Sequence, residues 1–315
     1  DISTSLDDDA DEMGIENDRM RDNDDRRNDD DLEYKYSDEL YSIIGDDEED
    51  ENMDGYYYED EDTFGDSFDD DDEDFEIKNV HLWNGRKDPY LYTAKAELLE
   101  GETVLDNISE RFGCRTFEID PENGFILNGE EYPLRGVSRH QDREVLGNAL
   151  TIEEHREDIE LIASMGANSI RLAHYQQSED FYDLCDEYGM LIWAEIPVIS
   201  RFNKKAQENA MNQLEELIKQ NMHHASIFCW GVQNEITITT ETPELVDAIK
   251  ELNAYAKLLD PSRATTCAQV SMSKIESELN SITDIIGYNH YFGWYMKTCD
   301  GLDEWLEKFR EVHPQ

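Results

Sequence analysis

The stretch Gly166–Pro197, GANSIRLAHYQQSEDFYDLCDEYGMLIWAEIP, decides the fold. ANSIRLAHY and LIWAEIPVI are short runs, apolar through most positions, as expected of strands buried on both faces. Between them SEDFYDLCDEYG reads as a helix that stops at Gly189. A strand, a helix and a second strand in this order make a parallel unit.

The alternation continues in both directions. Upstream, PLRGVSRH is strand-like, and TIEEHREDIELIASMG follows as a helix with a Thr151/Glu154 capping box and an apolar stripe of Ile159, Ile162 and Met165. Downstream, AQENAMNQLEELIKQN places Ala210, Leu214, Leu217 and Ile218 on one helical face. IFCWGVQNE is a strand, Thr242 and Pro243 start a helix as cap and first-turn proline, ATTCAQV and TDIIGYNHYF are strands, and GLDEWLEKFREV is a last helix. No Gly-rich phosphate loop follows the first strand, which argues against a doubly wound dinucleotide fold. A (β/α)₈ barrel needs ~250 residues, and six of its eight units about three quarters of that. Positions 134 to 315 supply 182. The expected fold is therefore α/β, a partial TIM barrel of about six units.

Residues 77–120 have another character. YLYTAKAELL and RFGCRTFEID are strand-like, with Gly85, Pro89 and Gly101 as breakers, and suggest the closing strands of a β-sandwich. PENGFILNGEEYPL, with Asn-Gly twice, reads as hairpin turns leading into the barrel. Residues 1–76 hold 36 acidic side chains against 5 basic, within a chain of formal net charge −50. Self-repulsion on this scale predicts a disordered acidic segment. Its aromatics, among them Tyr56, Tyr57, Tyr58 and Phe64, also suit a partner-binding tail. The expected domains are thus 1–76 acidic and disordered, 77–120 the end of an immunoglobulin-like sandwich, and 121–315 the truncated barrel.

Charge and composition exclude several functions. No Lys/Arg cluster could track a phosphate backbone, so nucleic acid is not an expected partner. No apolar run approaches a membrane span and no signal peptide is evident, so the expected location is cytoplasmic and away from membranes. Five scattered cysteines, Cys114, Cys185, Cys229, Cys267 and Cys299, read as buried free thiols rather than disulfides or a zinc site.

In a βα barrel, chemistry gathers where strands end. His140 and Asp142 follow the first strand, Arg171 and His174 end the second, and Glu195 ends the third. Asn234 and Glu235 end the fourth, and Tyr291 and Trp294 follow the sixth. Taken singly, each has a plain reading: an Asn-Glu pair as helix cap or ion-pair partner, a histidine as structural donor. Together at one barrel end, aromatic faces for pyranose rings and carboxylate, His and Asn groups for hydroxyls make a sugar site. His140 and His174 lack a third ligand at matching spacing, so no metal site is expected.

These motifs, VHLWNGRKDPYLYTA, RGVSRHQDR, the stretch quoted first, HHASIFCWGVQNE and GYNHYFGWY, resemble in order and spacing those of glycoside hydrolase family 2, its β-galactosidase-like members in particular. The resemblance implies a retaining β-glycosidase. Glu235 matches the acid/base, Asn234 the residue that holds the sugar 2-hydroxyl, His140 and His174 sugar-binding histidines, and Tyr291 a tyrosine bonded to the nucleophile; Asp142 and Trp294 join them as substrate-binding candidates. A carboxyl in the acid/base role must protonate the leaving oxygen and then activate water. The departures are His223, His224, Ala225 and Ser226 where the family usually has Asn-His-Pro-Ser, and Gln176 where proline often follows His-Tyr. The family's nucleophile is a Glu on a seventh strand, which is not expected among these 315 residues. The resulting expectation is a β-galactoside hydrolase lacking its nucleophile and inactive alone, with a β-glucuronidase-like enzyme or a catalytically dead sugar-binding protein as alternatives. The chemistry needs no cofactor. A structural divalent or monovalent cation and a homo-oligomer are left open, and the partner is a β-galactoside or other β-glycoside.

Overall fold

Two Asn-Gly pairs shape the entry to the barrel. The structure, a computed structural model, describes residues 76–236, 241–296 and 298–314. Short strands β1 (Trp83–Asn84) and β2 (Asp88–Pro89) pair, and a long antiparallel hairpin follows, β3 (Tyr92–Glu100) with β4 (Thr103–Phe112). A meander comes next: β5 (Phe117–Asp120), β6 (Gly124–Leu127) and β7 (Glu130–Glu131). Asn128 and Gly129 both have positive φ, 52° and 81°, the two-residue hairpin geometry that an Asn-Gly pair favours. RFGCRTFEID, expected as one strand, is split. β4 ends at Phe112 because Gly113 must pass against Trp83 and Ala225, where a Cβ would lie 2.8 and 2.7 Å away.

Six parallel strands then form one curled sheet, in spatial order β13-β12-β11-β10-β9-β8. They are β8 (Gly136–Arg139), β9 (Ser169–Leu172), β10 (Leu191–Glu195), β11 (Ile227–Asn234), β12 (Ala264–Val270) and β13 (Ile285–Asn289). Helices α1 (Ile152–Ser164), α2 (Glu179–Tyr188), α3 (Gln207–Asn221), α4 (Pro243–Leu259) and α5 (Gly301–Val312) intervene or follow. The expected partial barrel is present, all six strands in sequence order. Strands β11 and β12 are buried at every position, whereas β13, at an edge of the described sheet, is half-buried throughout. The cause is one missing neighbour on its outer side among the described residues.

The helices keep most of their sequence assignments. The Thr151/Glu154 capping box closes, and Thr242 caps α4 with Pro243 in its first turn. Ala210, Leu214, Leu217 and Ile218 are buried on α3. The stripe of α1 is different: Ile159 is buried, but Met165 lies past the helix end and is exposed. His155 takes a buried place on this helix, through a 2.9 Å contact with Arg139. The cysteines also depart from expectation, since Cys185, Cys229 and Cys267 are buried but Cys114 is half-buried and Cys299 exposed. The disorder expected for 1–76 lies outside the described residues, apart from Glu76.

One end of the barrel is plugged. Trp83, Phe125 and Leu127 pack with Leu191, Phe228 and Ala264, residues at the N-terminal ends of β10, β11 and β12. Trp83 is fully buried, and its indole N–H donates to the Asp186 carbonyl at 2.9 Å. The opposite end, where the strands finish, is left for polar side chains.

Buried carboxylates stiffen this scaffold. Asp260 accepts from the Trp230 indole (2.9 Å) and from Arg263 (2.7 Å). Burial alone would raise its carboxyl, but the Arg263 charge, with hydrogen bonds from Ser262 and Trp230, holds it below the usual range. A depressed folded value contributes stability above the unfolded value near ~4, and loses it as pH falls through the folded one. Asp260→Asn is therefore expected to lower stability at pH 7 and to flatten its decline in acid. Urea unfolding across a pH series measures this, and an unchanged acid slope would contradict it.

Candidate functional site

Parallel pairing in register brings the strand ends together. Trp193 sits opposite Arg171 on the neighbouring strand, and Glu195 opposite Gly231. A Cβ added at Gly231 would lie 2.6 Å from the Glu195 Cβ and 2.4 Å from the Trp193 indole nitrogen, so glycine is what lets both side chains lean across β11.

Arg171 is the hub of the site. Its Nε and Nη2 donate to the two Glu195 carboxylate oxygens, both at 3.0 Å. Nη2 also donates to Asn234 Oδ1 (2.8 Å), Nη1 to Asn289 Oδ1 (2.9 Å), and the guanidinium lies 4.4 Å over the Trp193 ring. The Glu195 side chain is 1% exposed and also takes His174 Nδ1 at 2.6 Å. Two charge-assisted partners satisfy a carboxylate that would be costly to bury alone.

Glu235 is reached through a strained backbone. β11 ends at Asn234, and Glu235 adopts φ +52°, uncommon for a residue with a Cβ, while its N–H donates to the Ala268 carbonyl at 2.7 Å. That turn leaves the carboxyl buried at 8% exposure. Asn289 Nδ2 (2.7 Å) and the Tyr291 hydroxyl (2.5 Å) both donate to its Oε1. Among the described residues, Oε2 is the oxygen left for a ligand. Burial, and Glu235 beside it, push the Tyr291 hydroxyl up to about 12, so it remains a donor at neutral pH. Asn234 Oδ1 is occupied by Arg171 and by Asn289 (2.9 Å), which orients the amide and leaves its NH₂ to donate outward.

The structure thus joins Asn234, Glu235, His174 and Tyr291 in one network through Arg171, Glu195 and Asn289. His140 stands beside it, its ring 5.3 Å from that of His174. Trp294 is 74% exposed and stacks on Tyr295 at 4.3 Å, and each ring lies near Tyr291 (6.1 and 5.2 Å). Asp142 is exposed on the loop past β8 and makes no hydrogen bond to the network among the described residues. Arg139, also near a strand end, turns away to Asp158 (2.7 Å) and the Phe181 face (3.7 Å). His290 contacts Ser271 (2.9 Å) and packs on Trp305. Tyr291, expected to serve a nucleophile, bonds Glu235 here. Asn289, expected among the polar residues that end the sixth strand, takes a place between Arg171, Asn234 and Glu235 that the sequence does not specify.

A buried carboxyl fed by a phenol and an amide, an amide held ready to donate, an imidazole and an exposed indole form a site for a polyhydroxylated ring. The class that the fold defines is a partial βα barrel with a polar site at its strand ends. The family model described as the TIM barrel domain of glycosyl hydrolases family 2 matches residues 118–315, and a second family 2 model matches residues 1–115. The chain belongs to glycoside hydrolase family 2. A β-glucuronidase of Bacteroides fragilis is 42% identical over 248 residues, 76% of this chain and 35% of that protein. A β-galactosidase of Thermoanaerobacter pseudethanolicus is 36% identical over 179 residues, 56% of this chain and 23% of that protein. The crystal structure of an FMN-binding β-glucuronidase from Facaelibacterium prausnitzii superposes with TM-score 0.73 at 47% identity, over 76% of this chain and 37% of that one. The chain therefore spans between 23% and 37% of the length of these relatives. Among the described residues no helix is long and apolar enough to cross a membrane.

Proposed function

We propose that this chain carries the acid/base half of a retaining β-glycosidase site whose substrate is a β-glucuronide. Glu235 is the acid/base, Asn234 donates to the sugar 2-hydroxyl, and His140 and His174 take further hydroxyls. Trp294 supplies a face for the ring or its aglycone, and Asp142 joins only through movement of its loop. The observation that carries the catalytic reading is the Glu235 carboxyl, with Asn289 and Tyr291 both on Oε1. Such a carboxyl has one oxygen anchored and one available to pass a proton to a leaving oxygen and to take one from water.

The galactoside substrate expected from sequence gives way to its runner-up. A curated relative at 42% identity and a solved structure at 47% are named β-glucuronidases; a β-galactosidase at 36% matches 56% of the chain, and one solved structure at 42%, over 76% of the chain, is titled a putative β-galactosidase. A uronate carboxylate needs a cation or amide partner. Arg171 is already committed to Glu195, Asn234 and Asn289, so that partner comes from elsewhere.

Residues 77–120 we assign to the closing strands of an immunoglobulin-like sandwich. The hairpin exposes Leu98, Leu99, Val104, Leu105 and Ile108, side chains that a facing sheet would cover. The substrate is tested in the chain extended through a complete barrel, by kcat/KM on nitrophenyl β-glucuronide and β-galactoside. A preference for the glucuronide of at least roughly a hundredfold is expected, since a site built around a charged group penalises its neutral analogue by about that or more. Preference for the galactoside would overturn the substrate while leaving the role of Glu235 standing.

A further inference from the structure

Outside the sugar-site network, three side chains on separate segments converge. Glu110 lies near the end of β4, Glu179 opens α2, and His223 follows α3. One ligand atom from each lies within 4.8 Å of the others, and His223 Nε2 is 3.8 Å from the Glu110 carboxylate.

Two carboxylates held this close repel, and a cation beside them relieves that repulsion. Among the described residues, neither Glu110 nor Glu179 has a Lys or Arg ion-pair partner. Arg111, next in sequence, is taken by Asp183 (3.0 Å) and Glu187 (2.6 Å). The first turn of α2 favours one carboxylate and does not account for two. His223 does not supply the charge, because burial and the neighbouring His224 hold its imidazole below the usual range. At neutral pH it offers a lone pair.

The ring is also fixed in place. It lies 4.0 Å from the ring of His224, which is fully buried and anchored to Asp186 at 2.8 Å. The carboxylates are exposed, so an ion can enter.

We propose that Glu110, Glu179 and His223 form a binding site for a zinc-type divalent cation that ties the β3–β4 hairpin to the barrel. One nitrogen and two carboxylate oxygens are a donor set for Zn²⁺, with water completing the shell, whereas Ca²⁺ and Mg²⁺ take oxygen ligands. Ligand atoms around a tetrahedral Zn²⁺ sit about 3.4 Å apart, so the side-chain ends need to close by about 1 Å. Sequence reasoning found no metal site because the three ligands share no motif.

The test uses the whole 315-residue chain, freed of metal with a chelator and titrated with Zn²⁺ in a calorimeter. Hydrogen exchange is followed at residues 92–112. One site and about tenfold slower exchange around Glu110 are expected. Glu110→Gln and His223→Asn, each checked by circular dichroism in chelator, should weaken that site at least tenfold and abolish the added protection. Mg²⁺ at the same concentration should produce neither effect. Zn²⁺ binding that both substitutions leave unchanged would assign the ion to the acidic residues 1–76 and overturn the site, as would unaltered hairpin exchange.

Discussion

Glu235→Gln, placed in a chain extended to a complete barrel, is expected to lower kcat/KM on alkyl β-glucuronides by roughly 10²–10⁴-fold, the usual worth of general acid catalysis. The amide is nearly isosteric and its oxygen can still accept from Asn289 and Tyr291, so the network is kept while the transferable proton is lost. Substrates with a very good leaving group need little protonation, and their glycosylation step should fall far less. Their turnover should then stall at the glycosyl-enzyme, because no base activates water. Added azide, which attacks without a base, should restore it. Pre-steady-state kinetics with a dinitrophenyl and an alkyl glycoside separate the two steps. An equal loss of glycosylation for both would remove Glu235 from the acid/base role.

The 315-residue polypeptide itself is expected to turn over nitrophenyl β-glucuronide at the background rate. A retaining mechanism needs a second carboxylate ~5–5.5 Å from the first. Among the described residues the carboxylate tied into the same network is Glu195, whose oxygens are held by Arg171 and His174 and whose side chain is 1% exposed. A group so enclosed cannot approach an anomeric carbon. Removing one member of a cooperating catalytic set costs orders of magnitude, commonly about 10⁴ or more. The assay is made on the purified chain and on the chain extended by the seventh and eighth units. Substantial turnover by the unextended chain, abolished by Glu235→Gln, would show that another carboxylate serves as nucleophile.

These expectations rest on residues of unequal legibility. That His174, Asn234, Glu235 and Tyr291 lie close together is legible because parallel strands in a barrel all end at one face, so strand-final polar residues converge once the strands are known. Asp142 was drawn in by the same rule. It lies on a loop past β8 that the ladder does not hold, and its side chain is exposed. Arg139 ends a strand too, but β8 is an edge, and Asp158, His155 and the Phe181 face draw the guanidinium to the outer layer. Tyr291 bonds Glu235, a partner the sequence does not specify, since the partner of a hydroxyl depends on which carboxyl lies within 3 Å in three dimensions.

By itself the sequence determined what local interactions decide. Strand and helix order, the Thr151/Glu154 box, the buried face of α3 and the Asn128-Gly129 turn all follow from periodicity, capping and the cost of positive φ. The six-unit barrel followed from those elements and the length available. Only the tertiary structure decided the rest. It set the positive φ of Glu235, the sharing of Arg171 among Glu195, Asn234 and Asn289, and the passage of Trp193 across Gly231. It also brought Glu110, Glu179 and His223 within reach of one ion. Each depends on distances between residues far apart along the chain. Such distances are set by how the sheet curls and the helices pack, and they leave no periodic trace in the order of the amino acids.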